Sequence, residues 1–260
     1  MNGNPLPERK NIQSVTRALA ILEFLATCRN GERLTAISQE LGLNKSTTHS
    51  LIITLEDTGY VQQDQTTAKY SLGLKLFEIG QVVHANMDLR NIAIPFLQEL
   101  AVKFCETVHL AILSKGEVVY IDKVDTSRSI RIGSQIGGRN PAHCTGVGKV
   151  LLSGLTDKEL ADTLGNVKLE KFTANTIVSK EVLYKHLEKV KQDGFALDQE
   201  EIEEGLSCIA APIKNHRGKV IAGISVSGPS SRMRSEILGE LKDDVMDKAL
   251  QISRRLGYKE

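Results

Sequence analysis

The sequence predicts an α+β protein with an N-terminal winged helix-turn-helix domain, a connector helix and a C-terminal domain built on an antiparallel sheet. Leu34 to Val61 has the pattern of two short helices around a glycine, and a β-hairpin pattern follows it. From Thr107 onward the apolar spacing becomes strand-like. Strands and helices there do not alternate regularly, which is typical of an antiparallel sheet with helices outside it.

The composition indicates two globular domains. At about 150 residues per domain, 260 residues suggest two. Hydrophobic residues make up 41% of the chain and charged residues 25%, the usual balance of soluble globular proteins. No apolar run reaches the roughly 20 residues of a membrane span, and the polar N-terminus lacks a signal-peptide core. We therefore expect a cytoplasmic protein.

The chain has four cysteines that lie far apart: Cys28, Cys105, Cys144 and Cys208. They form no CxxC pair, which argues against a disulfide framework or a zinc finger. Cys105 with His109, and His143 with Cys144, are potential donor pairs. Without a second matched pair, buried thiols and hydrogen-bonded histidines are the favoured interpretation. We expect neither a metal nor a cofactor.

Residues 1–11 are polar, and we expect a flexible arm there. A helix is predicted from about Ser14 to Thr27, and it would provide the scaffold for the helix-turn-helix. Its apolar residues at helical spacing are Val15, Leu19, Leu22 and Leu25.

The helix-turn-helix is predicted from caps and spacing. Thr35 would cap the first helix, Gly42 would end it, and Asn44 would cap the second. The second helix would bury Leu51, Ile52 and Leu55 and enter the DNA major groove. The candidate DNA-binding residues are short or polar side chains on this helix, at its entry and in the wing: Thr35, Lys45, Ser46, Thr47, Thr48, His49, Ser50 and Lys69.

The wing and the connector follow directly. Tyr60–Gln63 and Tyr70–Leu72 are extended segments around a polar turn, so we place the winged domain at residues 12–73. Leu74, Phe77 and Ile79 begin a helix that would form a connector over residues 74–88. Residues 89–260 would then form the second domain.

The second domain begins with a helix from Leu89 to about Phe104, with Pro95 inside it as a source of a kink. The predicted strands are Thr107–Leu113, Glu117–Lys123, Ser129–Gln135, Phe195–Gln199, Leu206–Ile213 and Lys219–Ser227. The predicted helices are Gly146–Leu152, Asp157–Leu164, Ser179–Gln192 and Ser235–Leu256. The last of these carries an apolar stripe: Ile237, Leu241, Val245, Ile252 and Leu256.

The order of these elements, together with RNPAHCTGVGKVLL and LDQEEIEEGLSCIAAPI, resembles the IclR family of bacterial transcription regulators. The resemblance extends from Ile12 to the end of the chain. ETVHLAIL, VVYIDKVD and EEGLSCIA are most similar to the branch typified by the KdgR repressors of pectin and hexuronate breakdown. The resemblance implies a GAF-like effector domain, homodimers or dimers of dimers, operator DNA as a partner and a small organic acid as effector.

The same resemblance implies a pocket between the sheet and the loop before the Gly146 helix. Its residues would be Asn140, Ala142, Gly146, Val147, Asp198, Cys208, Ser225 and Ser227. The N–H groups of a helix N-terminus suit an anion, and hydroxyls with a carboxyl suit hydroxyl or keto groups. A sugar acid such as 2-keto-3-deoxygluconate has both. Family members often carry an arginine in the recognition helix where this chain has Ser50, so the operator is not transferred by resemblance.

Three function classes remain open at this point. The first is a DNA-binding repressor controlled by a sugar acid, with no catalytic residues. The second is a GAF-like enzyme that uses Cys208, and the third is a winged-helix module that binds protein. ATP binding by TGVGKV is excluded because a P-loop would need Gly at His143 and Ser or Thr at Val150.

The charge balance bears on the first class. The chain has a net charge of +1, and residues 1–75 are hardly more basic than the rest. Such a weak field favours a dimer or tetramer that sums several modest contacts with DNA phosphates.

Overall fold

The computed structural model describes residues 12–85, 88–126, 128–129, 132–233 and 235–259. The chain divides between residues 87 and 88 into two compact units. The arm expected over residues 1–11 lies outside the described residues. No helix in the described part of the chain is long and apolar enough to span a membrane.

The first unit begins with three helices: α1 (Gln13–Thr27), α2 (Leu34–Glu40) and α3 (Lys45–Asp57). Their core is formed by Ile21 and Leu25 of α1, Ile37 of α2, and Ile52 and Leu55 of α3, all buried. Gly42 ends the turn after α2 with φ near +60°, a conformation that glycine adopts without strain. The predicted helix-turn-helix is therefore present.

The expectations about α1 and the caps need correction. Val15 and Leu19 are exposed, because the buried face of α1 is centred on Ile21 and Leu25. Thr35 is not a cap, since α2 already begins at Leu34 after Arg33. Asn44 does occupy the N-cap position of α3, but its side chain makes no capping hydrogen bond.

The wing is a hairpin of β1 (Val61–Gln63) and β2 (Tyr70–Leu72), paired from Val61 opposite Leu72 to Gln63 opposite Tyr70. Asp64 shapes its turn, because its Oδ1 accepts the N–H groups of Thr66 and Thr67, each at 2.8 Å.

Helix α4 (Leu74–Ala85) follows the wing and exposes an apolar face. Leu74 is 68% exposed, Phe77 62% and Val82 63%. Apolar side chains at this helical spacing form one continuous stripe that a monomer leaves in water.

The second unit is built on one antiparallel sheet. Its strands are β3 (Thr107–Ser114), β4 (Glu117–Val124), β5 (Arg139–Pro141), β6 (Ala196–Gln199), β7 (Leu206–Lys214) and β8 (Val220–Pro229). Within the described residues they lie in the order β5-β4-β3-β8-β7-β6. The predicted strand over Ser129–Gln135 is wrong for its described part at Ile132–Gln135, which is irregular.

Helices cover the sheet. They are α5 (Asp88–Phe104), α6 (Gly146–Ser153), α7 (Asp157–Leu164), α8 (Lys180–Asp193) and α9 (Ser235–Arg255). Helix α6 packs against β6, β7 and β8, whereas α5 and α9 contact each other on the opposite face. Arg90 of α5 binds Asp122 of β4 there at 3.0 Å. The stripe predicted on α9 is buried at Leu241, Val245 and Ile252, but Ile237 is exposed.

Gly73 offers a direct test of how the wing joins α4. A Cβ at this position would lie 2.2 Å from the Gly59 carbonyl oxygen, far inside contact distance. We expect Gly73→Ala to lower the thermal midpoint of unfolding and to speed amide exchange in β1 and β2. Gly80→Ala is the matched control because nothing lies within 4 Å of its Cβ position in α4. Alanine should stabilise that helix by about 0.5–1 kcal/mol. Equal midpoints for the two variants would contradict this packing.

Candidate functional site

The outer face of α3 carries most of the residues expected to contact DNA. Lys45, Ser46, His49 and Ser50 are exposed, and Thr47 is half-buried. Thr48 is the exception. It is fully buried, and its hydroxyl donates to the Asn44 carbonyl at 3.1 Å.

The expectation that Thr48 points outward is therefore wrong. Thr48, Ile52 and Leu55 share one side of α3 at helical spacing, so Thr48 belongs to the packed face. The other two predicted positions lie outside this helix: Thr35 is exposed in α2 and Lys69 is half-buried in the wing.

A cavity of about 340 Å³ lies over the sheet face that α6 covers. Its floor is polar because strand register aligns polar side chains across four strands. Asp198 of β6 pairs with Cys208 of β7, which pairs with Ser227 of β8. In the adjacent row, Ser225 of β8 pairs with His109 of β3. Directly paired residues project from the same face, so these side chains line one floor.

Six of the eight residues expected in a pocket line this cavity: Asn140, Val147, Asp198, Cys208, Ser225 and Ser227. Ala142 and Gly146 do not. Ala142 is fully buried behind the wall. Gly146 supports the floor, since its N–H bonds the Cys208 sulfur, and a Cβ on it would lie 2.8 Å from that sulfur.

The N-terminus of α6 is also less open than expected. The hydroxyl of Thr145 accepts the Gly148 N–H at 3.2 Å and so occupies part of the helix end. Thr145 itself lines the cavity. A ligand at this helix end would therefore meet the capping Thr145 side chain and not a row of free N–H groups.

Asp198 is the buried acid of the cavity. Its Oδ1 accepts the Glu201 N–H at 2.8 Å. Burial raises the pKa of Asp198 to about 7, although this hydrogen bond and the charge of Lys149 oppose the shift. Near neutral pH this carboxyl therefore exists partly as the acid, which can donate a hydrogen bond to an anionic ligand.

Cys208 is unsuited to nucleophilic catalysis. Burial raises the pKa of its thiol to about 12, and the nearby Asp198 adds to the shift. The reactive form of cysteine is the thiolate, which this environment disfavours. Nor do the described residues bring together three or more His, Cys, Asp or Glu side chains that could hold a metal.

A buried ion pair holds one wall of the cavity. Lys149 of α6 is fully buried and binds Glu201, which follows β6. The hydroxyls of Thr173 and Thr176 donate to the Glu200 and Glu201 carbonyls, each at 2.6 Å. The Glu201 loop, defined as residues 200–205, is thus fixed from two sides. Its next residues, Ile202 and Glu203, line the cavity.

The opposite end contains residues that the sequence did not single out as ligand contacts: His109, Tyr120 and Ser134. His109 Nε2 lies 2.6 Å from the Ser134 hydroxyl, and Tyr120 accepts a hydrogen bond from Asn140 Nδ2 at 3.0 Å. In the sequence, His109 stands out only as a potential donor pair with Cys105. The alternating polar pattern of β3 could have indicated it, because His109 faces the same side as Thr107.

Comparison with known sequences identifies both units. Residues 14–65 match the IclR helix-turn-helix domain, and residues 81–254 match the family described as "Bacterial transcriptional regulator IclR C-terminal". The chain belongs to the IclR family of transcriptional regulators. Its two matched regions place the helix-turn-helix on the unit with α3 and the C-terminal domain on the unit with the cavity.

Several characterised relatives match over nearly the whole chain. The regulator XynR of Escherichia coli K12 is 40% identical over 247 residues, covering 95% of this chain and 98% of XynR. KdgR of Dickeya chrysanthemi is 39% identical over 248 residues, 95% of this chain and 81% of KdgR. The repressor AllR of Salmonella typhi is 36% identical over 251 residues, 96% of this chain and 92% of AllR.

Solved structures agree with the fold. The crystal structure of the Thermotoga maritima IclR superposes with a TM-score of 0.76 at 34% identity, covering 95% of this chain and all of that chain. The predicted α+β fold and the resemblance to the KdgR branch are thereby confirmed. Both matched domains are those of a transcriptional regulator and the relatives above are named regulators or repressors, so the alternative of an enzyme using Cys208 is set aside.

The raised pKa of Asp198 makes stability depend on pH. An aspartate with a pKa above its unfolded value binds a proton more tightly in the folded state, so stability is lost as pH rises from about 4 to about 7. We expect Asp198→Asn to abolish this loss. At pH 8 the variant should gain up to about 4 kcal/mol in free energy of unfolding, and at pH 4 it should equal the wild type. Urea unfolding at both pH values measures this, and an equal gain at the two would contradict a titrating Asp198.

Proposed function

We propose that this chain is a cytoplasmic repressor that binds operator DNA as a dimer or a dimer of dimers and is controlled by a sugar acid such as 2-keto-3-deoxygluconate. The observation that carries the proposal is the polar floor of the cavity. Asp198, Ser225 and Ser227 are buried and face one space. Buried polar groups left unpaired cost about 1–3 kcal/mol each, which favours a ligand rich in hydroxyl, keto or carboxyl groups.

An acid suits this space despite the carboxyl of Asp198. A protonated Asp198 donates to a ligand carboxylate, while the hydroxyls of Ser225 and Ser227 can donate or accept. The Thr145 hydroxyl at the N-terminus of α6 donates to the Pro141 carbonyl at 3.3 Å and accepts the Gly148 N–H, so its remaining lone pair can accept from a ligand hydroxyl. A purely alkyl acid would leave most of these groups unpaired.

Repression is the mode that the relatives favour, since AllR is named a repressor. The effector acts only through the difference in its affinity for the DNA-competent and incompetent states of the protein. A ligand in the cavity therefore changes operator binding to the extent that the two states shape the cavity differently.

The first experiment tests the effector. A gel shift with the promoter upstream of the chain's own gene should show operator binding that 2-keto-3-deoxygluconate changes. Ser225→Ala should raise the effector concentration needed for half of the response about tenfold, because one buried hydrogen bond to the ligand is lost. Ser207→Ala is the control, since Ser207 faces the other side of β7 and bonds Ser230 at 2.8 Å. An effector response that is identical in both variants would place the ligand elsewhere.

The second experiment tests the DNA face. Lys45 is exposed at the start of α3, where a cation contacts a DNA phosphate in this kind of domain. Lys45→Ala should weaken binding to all sequences alike and lower the salt slope of the affinity by about one. Thr48→Val is the matched control, because Thr48 is buried and should leave the slope unchanged. A slope that is the same for Lys45→Ala and wild type would remove Lys45 from the interface.

Footprinting complements this measurement. A dimer should protect a pseudo-palindrome whose half-sites are separated by about 10 bp or a multiple of it. A footprint without two-fold symmetry would contradict binding as a symmetric dimer.

The third experiment tests self-association through α4. Light scattering should give the mass of at least a dimer, because a second copy of the chain would bury the exposed apolar stripe of Leu74, Phe77 and Val82. Replacing Leu74 and Phe77 with serine should weaken the association. The control is Glu78→Ser, a change to an exposed polar residue of the same helix. A wild-type monomer at micromolar concentration that still binds the operator tightly would contradict the proposal.

A further inference from the structure

His109 lines the far end of the cavity, and one buried atom of its ring has an unused hydrogen-bonding capacity. Its side chain is 2% exposed, and its Nε2 lies 2.6 Å from the Ser134 hydroxyl. The other ring nitrogen, Nδ1, has no hydrogen-bond partner among the described residues. A buried polar atom without a partner is costly, and where its residue lines a cavity the atom is a candidate partner for a ligand.

The imidazole is held rigidly in one orientation. The Tyr120 ring lies against it with centroids 4.8 Å apart, and Asn140 fixes the Tyr120 hydroxyl at 3.0 Å. Lys123 donates to the Ser134 carbonyl at 2.8 Å and to the Ile132 carbonyl at 3.0 Å, so the segment that contacts His109 is anchored as well. Such a fixed group loses little conformational entropy when a ligand binds.

Burial, together with the charge of Lys123, lowers the pKa of His109 to about 3. The ring is therefore neutral at physiological pH, with one donor and one acceptor nitrogen. A ligand hydroxyl pairs with Nδ1 in either tautomer, because a hydroxyl both donates and accepts. An alkyl end can neither donate a hydrogen bond to Nδ1 nor accept one from it.

Strand order places His109 far from Asp198. β3 and β6 are separated by β8 and β7 in the sheet, which amounts to three strand spacings, or roughly 14 Å between backbones. Both residues line the same cavity, and Ser225 and Cys208 lie on the strands between them. The cavity therefore has two polar ends joined by a polar floor. An extended chain gains only about 1.2 Å per bond, so a very short acid held at Asp198 does not reach His109.

We propose that His109 is the second anchor of the effector and sets its length: its Nδ1 binds a terminal hydroxyl of a polyhydroxy acid whose carboxylate lies at Asp198. This inference rests on the proposed function, since it assumes a polyhydroxy acid as effector. The ligand class it names is an extended acid with a hydroxyl at the end remote from the carboxylate.

Calorimetry of the full chain with a homologous series tests the inference. Glycolate, glycerate, threonate, xylonate and gluconate differ by one hydroxymethylene group at each step. We expect wild-type affinity to rise by tenfold or more at the one step where the terminal hydroxyl reaches His109. Affinity that changes evenly along the series would overturn the inference.

Variants of His109 localise that step. His109→Phe keeps a ring and removes both nitrogens, so it should abolish the step while short acids bind as before. His109→Asn places its amide near the position of Nδ1 and should keep part of the step, whereas His109→Gln places it near Nε2 and should lose it. Unchanged affinity for the short acids shows that each variant still forms the cavity. The assignment would be overturned if the rise in affinity persisted in His109→Phe. It would also be overturned if His109→Gln kept the rise and His109→Asn lost it.

The surface variant His216→Phe is the control for the substitution itself, because His216 is exposed and does not line the cavity. It should retain the step in full. If the wild type binds no member of the series, the proposed effector class is wrong, and so is the inference. Binding without a length step overturns the inference alone and leaves the proposed function standing.

Discussion

The cavity depends on one buried ion pair, Lys149 with Glu201. Helix α6 is buried along nearly its whole length, so the ammonium group of Lys149 lies where an unpaired charge is very costly. Glu201 is its partner, and the Glu201 N–H in turn binds Asp198 at 2.8 Å. The pair therefore fixes α6, the Glu201 loop and the acid of the cavity as one arrangement. Removing either partner would leave a buried charge and release this wall.

The cavity joins a polar floor to walls from separate parts of the chain. Its floor belongs to the sheet, whose register is fixed by strand pairing, while its walls belong to α6, the Glu201 loop and the segment at Ile132–Ser134. A ligand that bridges floor and walls binds most tightly to the arrangement in which all its partners are in place. If the DNA-competent and incompetent states differ in the position of these walls, such a ligand couples the cavity to DNA binding.

Much of the fold was predictable because local signals and tertiary packing agree. Helical spacing located α3, strand-like apolar spacing located β3 and β4, and Gly42 follows α2 in the left-handed conformation at φ 60°. Thr48 was misplaced because a threonine is compatible with either face of a helix, and only the folded unit shows that this one is buried. Ile132–Gln135 was assigned to a strand because its composition is β-like, but Ile132, Gly133 and Ser134 line the cavity and form no strand.

Residues of the candidate site could be predicted where they lie in one sequence motif. They could not be predicted where only the folded chain brings them together. Asp198 and Cys208 lie in one motif, whereas His109 and Ser134 are brought together across 25 residues only by folding. The central claim is that the buried polar floor requires a polar ligand. Calorimetry of the wild type with gluconate and with hexanoate, an unsubstituted acid of the same chain length, tests it most directly. The account predicts at least tenfold tighter binding of gluconate, and equal or tighter binding of hexanoate would contradict it.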